Sequence, residues 1–153
     1  NADSRACVRL SGAKVILGGE ITAPVDDSGG SPGSGSNLKG FACEYMTSGT
    51  VLIMGDPGPY AFSGMTGGIV FQKLTPELGF DQRALQRRLA RGANVRIEPL
   101  EAGDLPAVQD LLAHYIEALE QTYQYDTVEQ IRILSQAEIL LSCFVKVVPT
   151  PAG

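Results

Sequence analysis

The segment MTSGTVLIMGD, starting at Met46, is followed nineteen residues later by MTGGIVFQKLT, starting at Met65. A fainter copy, LSGAKVILGGE, starts at Leu10. Aligned, the copies place Ser11, Thr47 and Thr66 in one column, Ala13, Gly49 and Gly68 two places on, and Val15, Val51 and Val70 two places further. Each copy reads as a corner of small residues feeding a short strand, because glycine reaches backbone angles closed to other residues and β-branched residues favour extended chain. The interval between the first two copies is wider, 36 residues, but it contains TAPVDDSGGSPGSGSN, whose composition suits a flexible insert at about 22–37. With the insert removed the period is about twenty, and strand-and-corner units of that length stack as a solenoid of parallel strands.

Alternation along the strands assigns the two faces. Val15, Val51 and Val70 share one face with Leu17, Ile53 and Gln72, and Ile16, Leu52 and Phe71 occupy the other. Both faces are largely apolar, so something must pack outside the strands as well as inside them. Gln72 interrupts its apolar ladder and marks the last rung. Beyond it, Asp81 and Gly92 bracket a helix, QRALQRRLAR, with its arginines mostly on the outside. ANVRIEPL reads as a short strand, and Asp104 caps a stronger helix carrying Leu105, Val108, Leu111, Leu112, Tyr115, Ile116 and Leu119. A further helix spans about Val128 to Leu141, and CFVKVVP is a closing strand ended by Pro149. The expected organisation is one structural domain, with a glycine-repeat region over 1–74 and a helical extension over 75–153 that caps or flanks it.

Composition narrows the function classes. The chain has 153 residues, 44% hydrophobic and 19% charged, enough to fold around a core. A formal net charge of −5 gives no chain-wide attraction for nucleic acid or an anionic membrane. The three cysteines, Cys7, Cys43 and Cys143, are widely spaced and accompanied by a single histidine, which disfavours a self-contained zinc site. Neither a signal peptide nor an apolar run of spanning length is present, and the reading is a reduced, cytoplasmic protein. The start at Asn1, without Met, reads as a piece of something longer.

Several residues carry a chemical reading beside a plainer one. Gly64, Gly67 and Gly68 could cradle a phosphate, but no Lys-Ser/Thr follows and the next element is a strand, so they read as corners. The same structural role is assigned to Gly12, Gly49, Gly55 and Gly58. His114, flanked by Asp110 and Glu117, has the makings of a general base and reads better as a surface helix residue. Cys43 lacks an identified base and reads as a small corner residue. Asp26 and Asp27 lack the ligand spacing of a calcium loop. Arg83, Arg87, Arg88 and Arg91 form the basic cluster, either a docking surface for an acidic partner or a solvated helix face. No catalytic, cofactor-binding or metal-binding residue emerges.

The run CEYMTSGTVLIMGDPGPYAFSGMTGGIVF, Cys43 to Phe71, resembles the glycine-repeat (GXGXG) domain at the C-terminal end of the glutamate synthase large subunit. LSGAKVILGG is similar to an earlier turn of that domain, and the two helices followed by FVKVVP are similar to its close. Ser48 and Pro59-Tyr60 depart from the family pattern, which usually has Gly and Asn-Phe there. The resemblance implies a right-handed parallel β-helix with C-terminal α-helices, acting as a non-catalytic scaffold between domains. In such a parent enzyme, an oxidoreductase with glutamine amidotransferase activity, other domains convert glutamine and 2-oxoglutarate to glutamate and carry FMN and an iron–sulfur cluster. Those domains or subunits are the implied partners. The alternative is a stand-alone assembly or binding subunit of another amidotransferase or redox complex, since the module also occurs in formylmethanofuran dehydrogenase.

Overall fold

The computed structural model describes residues 14–17, 48–55, 57, 61–62, 64–89, 94–121 and 125–149. Three strands arise from the three sequence copies: β1 (Lys14–Leu17), β2 (Thr50–Ile53) and β3 (Ile69–Lys73). They pair in parallel, and the register places Val15 opposite Val51 and Val51 opposite Val70. The alignment of the copies is thus the hydrogen-bonding register of the sheet.

The expected solenoid does not form. Two further strands, β4 (Val95–Pro99) and β5 (Phe144–Pro149), complete a single open five-stranded sheet in the order β1-β2-β3-β5-β4. β5 runs antiparallel to both β3 and β4. The right-handed parallel β-helix is therefore corrected to a mixed sheet with helices packed on both faces, and those helices do not cap a coil. The reason lies just after β3. Thr75 and Phe80 exchange backbone hydrogen bonds of 2.8 and 3.0 Å around the Pro76–Leu78 turn, reversing the chain where a further parallel rung would have begun. The free edge of β3 still needs partners for its backbone groups, and the distant closing strand supplies them. Strands from both sides of residue 74 consequently share one sheet.

Both faces of the sheet are covered, as two-sided apolar strands require. On one face Val51, Ile53 and Val70 pack with Ala61, Phe62, Met65 and Phe80 and with Ala84 and Leu85 of α1 (Gln82–Arg88). On the other, Leu52 and Phe71 pack under α2 (Leu105–Gln121), α3 (Tyr125–Leu134) and α4 (Ala137–Cys143), through Val108, Leu111, Leu112, Ile131 and Leu140.

Three boundaries differ from the sequence reading. α1 does start at the Asp81 cap, whose carboxylate accepts the Ala84 N–H at 3.0 Å, but it ends at Arg88. Leu89 is extended there and bridges to Ala61, so a tertiary pairing takes over the final turn; Gly92 lies outside the described residues. Asp104 closes a one-turn 3-10 helix, Ala102–Asp104, in a reciprocal capping box with Glu101, and α2 follows. The single helix expected over Val128 to Leu141 is two, broken at Ser135 and Gln136. Ser135 Oγ bonds back to the Ile131 carbonyl at 2.8 Å and the Ser135 carbonyl accepts from Gln109 of α2 at 3.1 Å, so side chains intercept the helical bonding. Among the described residues no helix is long and apolar enough to cross a membrane.

Candidate functional site

The repeat places its glycines at the entrance to the strands. Gly49 and Gly68 occupy equivalent columns, and both have left-handed backbone, with φ of 101° and 85°. The Ile69 N–H donates to the Gly49 carbonyl at 3.1 Å, so one corner stacks on the next before the strands begin. Gly64 is also left-handed, at φ 67°, and exposed. Gly55 is buried, and Gly67 is partly exposed without positive φ. Gly12 and Gly58 lie outside the described residues, as do Cys7, Cys43, Asp26, Asp27, Arg91 and the insert at 22–37.

At the opposite end of β3 from the Gly68 corner sits Gln72, fully buried. Its amide nitrogen donates to the Gly55 carbonyl at 2.7 Å and the Lys73 carbonyl at 3.0 Å, with the Ile53 carbonyl at 3.4 Å. β2 pairs with β3 only to Ile53, so the side chain satisfies carbonyls where the ladder has stopped. Gln72 Oε1 has no hydrogen-bond partner, and neither does the buried Thr75 Oγ1 three residues on. The interruption of the apolar ladder visible in the sequence is therefore a backbone tie at the end of β2.

A second buried polar group was missed. Arg88, expected on the outer side of its helix, is completely buried. Its Nη1 donates to the Ala84 carbonyl at 2.7 Å, and the guanidinium lies 5.1 Å from the centroid of the Phe80 ring. The Arg88 carbonyl accepts from Ala61 N–H at 2.8 Å, holding the segment before Phe62 against α1. Phe62 itself is buried at φ 65°, a left-handed conformation that costs a non-glycine residue energy and persists because the surrounding packing imposes it. Arg88 follows the buried Ala84 by four residues and Leu85 by three, so the turn of α1 carries it to the same buried face.

The third tie joins the helical layer to the sheet. Lys146 of β5 meets Asp104 Oδ2 at 2.9 Å, with side chains only 12% and 16% exposed, and the same oxygen accepts the Glu101 N–H at 2.9 Å. Burial acts to raise the Asp104 pKa, but the hydrogen bonds from Lys146 and Glu101 outweigh it, and the carboxyl titrates below its ordinary 3.8. The bond to Asp104 raises Lys146 above its ordinary 10.5 against the effect of burial, with the charges of Asp104, Glu101 and Glu98 assisting. The sequence signal was a lysine inside an apolar strand. The stabilisation from this pair should be present from above pH 3.8 to below pH 10.5, lost as acid protonates Asp104 and as alkali deprotonates Lys146. Urea titrations should find Lys146→Met about 1–2 kcal/mol less stable than the parent at neutral pH, with the difference shrinking at both extremes.

The remaining chemical candidates stay apart. His114 is exposed on α2, with Nδ1 2.9 Å from the Asp110 carbonyl and 3.7 Å from its carboxylate. Cys143 is half-buried at the end of α4, its sulfur 3.7 Å from Ser142 Oγ. Among the described residues no group of three or more His, Cys, Asp or Glu side chains gathers where a metal ion could be held. What the arrangement does chemically is tie backbone to backbone: Gln72 and Arg88 direct amide and guanidinium donors to main-chain carbonyls, and Lys146 with Asp104 fastens the α2 cap to β5.

Comparison with known proteins agrees with this picture of a built module. Residues 35–150 match the family model described as the GXGXG motif. The chain is 31% identical over 149 residues to the glutamate synthase [NADPH] large chain of Bacillus subtilis, and 32% identical over 151 residues to the glutamate synthase [NADH] of Schizosaccharomyces pombe. Each alignment takes in 97% of this chain but only 8% and 6% of the relative, so the chain spans less than a tenth of the length of these proteins.

Proposed function

The chain belongs to the GXGXG motif family and is related to glutamate synthases, and from that premise we propose that it is a non-catalytic scaffold domain of a glutamate synthase-type enzyme. In this reading, glutamine hydrolysis and the reductive synthesis of glutamate from 2-oxoglutarate occur on other domains of a longer cytoplasmic protein. This chain holds them in fixed relation. The observation that carries the proposal is Gln72: a fully buried amide directed at the backbone of the adjacent strand, at the heart of the repeat. Polar chemistry in the core of the repeat is thereby committed to shape.

FMN and the iron–sulfur cluster are assigned to the other domains. A cluster takes several cysteine thiolates at close spacing, and the three cysteines of this chain, Cys7, Cys43 and Cys143, are far apart in sequence.

The test is made on the full-length protein that carries this chain, measuring glutamine hydrolysis, ammonia-dependent glutamate formation and glutamine-dependent glutamate formation separately. Deleting residues 1–153 should leave the first two measurable and lower the third roughly tenfold or more, because coupling depends on fixed geometry. An exposed point substitution in this chain that abolished one chemical step at unchanged melting temperature would give the domain a catalytic role and overturn the scaffold reading.

A further inference from the structure

We propose that the free edge of β4 is a joint between two copies of this chain, the two β4 strands pairing antiparallel about a two-fold axis through Ile97. Among the described residues β4 is the last strand of the sheet, and its one strand neighbour is β5. Which of its backbone groups face outward follows from the proline positions. Pro99 stands opposite Val145, and Pro149 stands opposite Val95. Proline has no N–H to exchange, so both are non-hydrogen-bonded pairs of the antiparallel ladder. By alternation the Ile97–Val147 pair is of the same kind, and Arg96 and Glu98 make the bonds to β5. The N–H and C=O of Val95 and Ile97, and the C=O of Pro99, therefore point to the open side.

Side-chain charge then selects one register. Outward-facing residues must meet outward-facing residues, and the symmetric pairings that engage at least two of them on each strand are centred on residues 96, 97 or 98. Centring on Arg96 or Glu98 sets like charges directly opposite on the dyad, a destabilising arrangement. Centring on Ile97 sets Arg96 of each copy opposite Glu98 of the other. The two side chains share one face of β4, with Arg96 Nε 2.8 Å from Glu98 Oε2 and exposures of 50% and 32%. The ion pair now made within one strand is thus complementary to a second copy of itself. In this register Ile97 exchanges two hydrogen bonds with its mate, and each Val95 N–H reaches a Pro99 carbonyl. Charged residues and proline on an edge strand ordinarily deter pairing. Here Pro99 removes two bonds and the charges reject the wrong registers, so the expected association is weak and specific.

The inference does not depend on the scaffold reading. Sedimentation of the full chain over a range of concentrations reaching ~1 mM should show a monomer–dimer equilibrium. Backbone amides of Val95 and Ile97 should gain protection from hydrogen exchange as concentration rises. Arg96→Glu should weaken the dimer roughly tenfold or more, because both dyad-related pairs become Glu–Glu. The double exchange Arg96→Glu with Glu98→Arg should restore it, and mixing the two single variants should give a heterodimer that neither forms alone. Glu98→Arg faces Lys146 across β5, so circular dichroism must first show each variant folded. If that variant does not fold, the Arg96→Glu comparison and amide protection decide the matter. A chain monomeric throughout, or a dimer indifferent to Arg96→Glu and without protection at Ile97, would overturn the proposal.

Discussion

Gly68→Val is expected to lower stability by about 2–3 kcal/mol, because it forces a β-branched residue into left-handed backbone. At φ 85° the valine Cβ crowds its own main chain whatever space surrounds it. At this chain length each kcal/mol corresponds to about 2–4 °C, so the melting temperature should fall by roughly 4–12 °C. Gly68 also begins the corner whose neighbour, Ile69, donates to Gly49, so local relaxation would loosen the stacking of the copies. Gly67 provides the control, since its φ is not positive. Gly67→Val should cost less than half as much in the same melting experiment. Equal losses at the two positions would mean that space, not backbone angle, makes these glycines necessary.

A larger loss is expected from Gln72→Glu, which alters only the terminal amide. Gln72 Nε2 faces the carbonyls of Gly55, Lys73 and Ile53, so a carboxylate would direct oxygen at oxygen in a site closed to water. The carboxyl must either stay protonated or disrupt the end of β2. A cost of about 3–5 kcal/mol at pH 7 follows for an uncompensated buried charge. Its folded pKa would be raised, so the variant should regain stability as pH falls through that value and lose it as pH rises. Urea unfolding at several pH values gives the comparison. A deficit that does not narrow in acid would show that the carbonyls are not what the side chain meets. Gln72→Leu, which keeps volume and introduces no charge, should fall between the parent and Gln72→Glu, leaving carbonyls unmet at about 1–3 kcal/mol.

These two residues show where the sequence was legible. The columns of the repeat became strand register, and the two apolar faces became two cores, because period-two alternation and small-residue corners are local facts. The coil inferred from them was not local. Whether a further rung follows β3 depends on the turn between Thr75 and Phe80 and on a strand some seventy residues away, and neither leaves a mark on the repeat itself. Gln72 was visible as an anomaly, though its carbonyl partners were not. Arg88 was misplaced because its charge was read as belonging outside, although its spacing from Ala84 and Leu85 sets it on their buried face. The Lys146–Asp104 pair joins residues separated by 42 positions, beyond any pattern of spacing.

The position of β5 has a consequence for how the molecule is made. Of the described strands it is the last to be synthesised, yet it lies between β3 and β4 and touches both. Until Phe144–Pro149 has left the ribosome, β3 and β4 have no contact through the sheet and the inner edge of β3 is bare. At roughly 5–20 residues per second, the seventy-odd residues after β3 take several seconds to appear. Throughout that interval the nascent chain presents an apolar strand with unpaired backbone, the kind of surface that chaperones bind and that neighbouring chains aggregate upon. Slow translation between β3 and β5 would lengthen this exposure, and the yield of folded protein should be sensitive to it.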